Sequence, residues 1–107
     1  MKIKTSELQG EALDRMVAKC EVGDAINEID DPHFYSTDWA LGGPIIERER
    51  IATWFEHYED EDAGLPCWFA AKYGEREYPG PTPLIAAMRC YVASKLGDEV
   101  EVPDEIL

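Results

Sequence analysis

Apolar and polar positions repeat with two different periods along this 107-residue chain, and each change of period marks an element. Met1 to Thr5 alternates apolar and basic side chains, the period of a strand. From Gln9 to Glu21 the period lengthens, and Leu13, Met16, Val17 and Cys20 fall on one stripe of a helix. Gly23 supplies a left-handed stop for it. Asp24 to Tyr35 has little period and is broken by Pro32, so an irregular connection is expected there. Thr37-Asp38-Trp39 opens a brief helical turn capped by Ser36 or Thr37, which Gly42-Gly43-Pro44 is expected to stop.

Alternation returns from Ile51 to Tyr58, with Ile51, Thr53 and Phe55 set against Ala52, Trp54 and Glu56. The polar run Glu59 to Gly64, bounded by Pro66, reads as a hairpin tip, and Cys67 to Tyr73 as the aromatic-rich return strand. Gly74 to Glu77 fits a tight turn into a short strand near Tyr78. Thr82 caps the last helix and Pro83 takes its first position, where a missing N–H costs nothing. Ile85, Met88, Val92 and Leu96 form its main stripe, with Leu84 and Tyr91 beside it. Ala86, Ala87, Cys90 and Ala93 keep the other faces slim, so several neighbours can cover this helix. Gly97 ends it, and Glu99-Val100-Glu101-Val102 alternates again along a possible sheet edge. No repeat or linker divides the chain. The pattern predicts one compact α+β domain over residues 1–107, with two main helices packed on a small, mostly antiparallel sheet.

Composition changes this picture mainly through charge. Apolar residues make up 45%, an ordinary globular share, but 23 acids face 10 bases for a formal net charge of −13. Such a surface repels nucleic acid at long range and has no basic stripe to track phosphates, so specific nucleic-acid binding is not expected. It suits a basic partner, or simply solubility. No stretch approaches the ~20 apolar residues of a membrane span, and Met1-Lys2-Ile3-Lys4 lacks the apolar run of a secretory signal. A cytosolic protein is expected, with Cys20, Cys67 and Cys90 as free thiols.

The candidate chemistry lies in two Gly/Pro-rich blocks. Gly80-Pro81-Thr82-Pro83 places a helix N-terminus at a loop, where free N–H groups and the dipole can hold an anion. Arg89, two turns into that helix, is a scarce guanidinium close enough to help. Around Thr37, Asp38, Trp39, Gly42 and Gly43, Trp39 could stack on a planar ring and Asp38 could accept from a hydroxyl or an amine. The bland reading makes Trp39 a core anchor, Asp38 a turn-former and each Arg a salt-bridge partner. His33, His57 and Cys67 match no metal-ligand spacing, the Asp24 to Asp31 run lacks a calcium-loop register, and no nucleophile–base arrangement appears. No metal, cofactor or enzymatic activity is therefore expected. Trp54, Phe55, Tyr58, Trp68, Phe69 and Tyr73 put aromatics on both faces of the hairpin, which leaves self-association open.

The same blocks carry a family resemblance. Ser36-Thr37-Asp38-Trp39-Ala40-Leu41-Gly42-Gly43-Pro44-Ile45-Ile46-Glu47-Arg48-Glu49 and the stretch Gly80-Pro81-Thr82-Pro83-Leu84-Ile85-Ala86-Ala87-Met88-Arg89-Cys90-Tyr91-Val92 resemble the NinX-like family of small tailed-phage proteins. The N-terminal Lys4-Thr5-Ser6-Glu7-Leu8 and the tail to Leu107 extend the likeness, whereas Ile51 to Tyr78 does not look like a family motif. The resemblance implies a phage accessory protein in the cytoplasm of the bacterial host, with no catalytic residue to carry over. Two functions then compete. One is a non-enzymatic binder of a small anionic, nucleotide-derived ligand, as in a sponge for a host immune signal, built on Thr37, Asp38, Trp39, Gly42, Gly43, Gly80, Thr82 and Arg89. The other is an acidic interaction module that inhibits a basic host protein, by imitating nucleic-acid charge.

Overall fold

The computed structural model describes residues 1–23, 33–56 and 67–106. The expected connection before His33 and the hairpin tip, with His57, Tyr58 and Glu59 to Pro66, lie outside the described residues.

Strand β1 (Lys2–Lys4) leads through a short 3-10 turn into helix α1 (Gly10–Val22), and helix α2 spans Trp39–Glu49. Strands β2 (Ala52–Glu56), β3 (Cys67–Ala71) and β4 (Tyr78–Gly80) follow, then helix α3 (Pro83–Leu96) and strand β5 (Glu99–Glu101). The described residues thus form an α+β arrangement of three helices and two small antiparallel sheets. One sheet pairs β1 with β5, setting Ile3 opposite Val100. The other has the order β2-β3-β4, with Trp54 opposite Phe69 and Phe69 opposite Pro79.

Helix α3 is the centre of the fold. Thr82 Oγ1 accepts from the Ile85 N–H at 3.1 Å, and Pro83 opens the helix as its sequence predicts. The slim residues Ala86, Ala87 and Cys90 are buried together with Leu84, Met88, Tyr91 and Val92, so burial runs round the helix instead of along one stripe. Leu8, Leu13, Met16 and Val17 meet it from the N-terminal side, Ile45 from α2, and Ala70 and Tyr78 from the sheet. Leu96, at the end of the expected stripe, stays exposed.

Two expectations need correction. The sheet is split in two, because β1 and β5 pair only with each other among the described strands. The turn at Thr37 is also not stopped by Gly42-Gly43-Pro44; these residues lie inside an eleven-residue helix, and its cap is Asp38, not Ser36 or Thr37. The reason is tertiary. A Cβ on Gly42 would come within 2.5 Å of both Leu84 Cδ1 and the Tyr35 carbonyl oxygen, so glycine lets α2 lie directly on the start of α3. Burial of Gly42 and Ile45 holds the helix. It offsets the ~3 kcal/mol that an interior proline costs through its lost N–H and its clash with the carbonyl four residues back.

Candidate interaction surface

The N-terminus of α2 is built on a turn clamped to α1. Thr37 N–H and Asp38 N–H both donate to the Phe34 carbonyl, at 3.1 and 2.8 Å. The buried Ser36 donates its N–H to Asp14 Oδ1 at 2.8 Å, fixing the turn to the first helix. Asp38 Oδ1 accepts from the Ala40 N–H at 2.9 Å, satisfying one of the helix's open donors. On this rigid base Trp39 projects 54% exposed, so it is not a core anchor, and Phe34 on the preceding turn is 55% exposed. Among the described residues, the space over Gly43 holds only the Trp39 ring, 3.9 Å from where a Cβ would sit.

The second block packs against the first. Gly42 seats on Leu84, so the starts of α2 and α3 adjoin. Gly80 presses on the first turn of α3, where a Cβ would meet the Ala86 nitrogen at 2.6 Å. Its glycine is required by close approach, not by an open cradle. Thr82 engages the Ile85 N–H by its side chain and the Ala86 N–H by its carbonyl, and Pro83 has no N–H. The donors that an anion would use at this helix end are therefore mostly taken.

Arg89 does not reach toward that end. It is 8% exposed, and its Nε donates to the Leu8 carbonyl at 2.7 Å and its Nη1 to the Pro79 carbonyl at 2.8 Å. Burial pulls its guanidinium below the ordinary arginine value, with Glu7 opposing that shift. The side chain ties the turn before α1 to β4 across α3.

The sequence reading missed a polar clasp where the three helices meet. Arg48 Nη1 and Nη2 donate to the two oxygens of Glu21 at 3.1 and 2.7 Å, and its Nε donates to Glu49 at 2.9 Å. The Tyr91 hydroxyl donates to Glu21 Oε2 at 2.5 Å and accepts from Arg48 Nη2 at 3.2 Å. Lys72 and Lys95 approach Glu49 Oε1 at 3.3 and 3.6 Å. The Arg48 hydrogen bonds hold both carboxyls below their ordinary range, and burial pushes the Tyr91 hydroxyl up. These partners come from four separate segments, and only the one-turn spacing of Tyr91 and Lys95 hints at them in sequence.

Cys20 and Cys90 are free thiols, and burial pushes each up to about 11, so neither carries the thiolate that a nucleophile needs at neutral pH. On the hairpin, Trp54 stacks along Phe69 on one face at 6.1 Å, and Phe55 tilts on Trp68 on the other at 5.3 Å. Phe55 and Tyr73 remain exposed.

The described residues therefore assemble two rigid helix starts with an exposed tryptophan, and an acidic body around them. Among them, no helix is long and apolar enough to cross a membrane. No curated protein matches the chain. The family model described as bacteriophage P22, NinX matches residues 4–95, both blocks included, and the chain belongs to that phage family.

Proposed function

We propose that this phage protein is a non-enzymatic binding module that acts in the cytoplasm of the bacterial host on a basic host protein. The observation that carries the reading is Trp39, a large side chain more than half exposed on a backbone that Asp14, Asp38 and Gly42 hold rigid. An exposed, preorganised tryptophan is the usual anchor of a protein contact. Asp38 beside it and the net charge of −13 favour a cationic partner and speed its approach. The anion-binding alternative is weakened by Thr82 and Arg89, whose hydrogen bonds are directed into the fold. The test is capture from host lysate by immobilised protein, wild type against Trp39→Ala. One basic protein should be retained by the wild type, released as salt rises, and lost with the variant. Equal retention by both proteins would contradict the reading.

One observation favours a second reading, a sponge for a nucleotide-derived host signal. Gly42 brings the two Gly/Pro blocks side by side, and the open Trp39 ring could stack on a base. Native mass spectrometry with cyclic dinucleotides and ADP-ribose derivatives separates the two. A mass increment lost in Trp39→Ala would support the sponge, and none with any member of the panel would remove it. Arg89→Ala is a poor control here, because it disturbs the core.

A further inference from the structure

Helix α2 turns Gly42 and Ile45 into the core and leaves Trp39, Ala40, Pro44 and Glu47 exposed. Trp39, Gly43 and Glu47 stand at intervals of four, on successive turns of one face. Among the described residues, only the Trp39 ring comes near the place of a Gly43 Cβ, at 3.9 Å. Glycine thus leaves a gap between an aromatic ring and a carboxylate. A helical side chain leans over the turn before its own Cα, so Glu47 leans toward that gap from the far side. Ala40 and Pro44 border it with small apolar surface.

The carboxylates near this face are not equivalent. Glu49 holds Arg48, Lys72 and Lys95, and Glu21 holds Arg48. Glu47 makes no ion pair or side-chain hydrogen bond with any described residue, Arg50 included. It lies in the last turn of α2, where the helix dipole favours a cation. The indole of Trp39, 54% exposed, attracts a cation over its ring face. The net charge of −13 draws the same sign toward the surface. Arginine suits this place better than lysine. Its planar guanidinium stacks on an aromatic ring and meets a carboxylate with two parallel N–H groups, whereas an ammonium is more strongly hydrated.

We propose that Trp39, Gly43 and Glu47 form a seat for one arginine side chain of the basic partner. The guanidinium lies over Gly43, stacked on the Trp39 ring and donating to the Glu47 carboxylate. The inference rests on the binding role proposed above for Trp39. It adds the chemical group that is recognised and a second residue that recognises it.

Amide NMR on the full chain tests this with Nα-acetylarginine methylamide and, at equal ionic strength, Nα-acetyllysine methylamide. The arginine derivative should shift the Trp39 indole and the Gly43 amide saturably, above about 1 mM, the range of a weak contact. The lysine derivative should bind about threefold more weakly. Glu47→Gln changes a side chain that bonds nothing in the described fold, and it should weaken arginine binding about threefold. Trp39→Ala should abolish the shift at Gly43. No saturable shift in the wild type, an equal response to both derivatives, or a Glu47→Gln variant that binds normally would each overturn the proposal. Host-lysate capture separates its failure from that of the parent reading. Capture lost with Trp39→Ala but untouched by Glu47→Gln would keep the host-protein reading and overturn the arginine seat. Arginine binding with no protein captured would keep the seat and remove that reading.

Discussion

Gly42 and Gly43 are adjacent in one helix, yet they answer to different physics. Gly42 leaves no room for a methyl group between Leu84 and the Tyr35 carbonyl, and the carbonyl is backbone that cannot simply rotate away. Gly42→Ala should destabilise the protein by about 1–3 kcal/mol, in spite of better helix propensity. Among the described residues Gly43 faces only the Trp39 ring at contact distance, so Gly43→Ala should stabilise by about 0.5–1 kcal/mol. Urea denaturation of the two variants checks both signs at once. Arg89 makes a similar point. Its guanidinium bonds the Leu8 and Pro79 carbonyls, and Arg89→Ala would strand both and leave a hole beside α3. A loss of about 3 kcal/mol is expected in the same assay.

At the scale of elements, the sequence was legible where local signals and burial agreed. The stripe of α1, the Thr82-Pro83 start of α3, the paired aromatic strands and the alternation of β5 all appear as their patterns predict. The failure at α2 has a physical cause. Gly42-Gly43-Pro44 is a breaker by propensity, and what overrides it is contact with Leu84, forty-two positions away in the chain. The same holds for the site. Thr82 was identifiable as a helix cap by type and position, but whether Trp39 and Arg89 faced inward or outward depended on partners that no local pattern displays. The polar clasp was illegible for that reason too.

The clasp joins the elements and sets a pH window. Hydrogen bonds from Arg48 depress the carboxyls of Glu21 and Glu49 below their ordinary 4.5, so their stabilisation is complete above that value and is lost as pH falls further. Cys20 and Cys90 are raised by burial from 9.0 to about 11, and Tyr91 is raised from 10.0. Their contribution is complete below pH 9 and declines as the medium becomes more alkaline. Melting temperature should therefore hold a plateau between about pH 5 and 9 and fall on both sides. Glu49→Gln should lower the plateau and shallow its acid limb, and an acid limb unchanged by that substitution would assign the acid loss to other groups.

As a whole molecule, this member of the phage P22 NinX family joins an acidic body, a rigid pair of helix starts and an exposed Trp39. On the proposed reading, the acidic charge would attract a cationic partner and the fixed tryptophan would give the contact its selectivity. These roles separate by salt, because long-range steering is screened within about 10 Å at moderate ionic strength while apolar burial is not. The most direct measurement replaces Trp39 with the photo-crosslinking residue p-benzoylphenylalanine and irradiates host cells producing the protein. One dominant adduct is expected, to a basic host protein, that the same probe at the exposed Tyr73 does not give. No adduct at position 39, or the same spread of adducts from both positions, would contradict it.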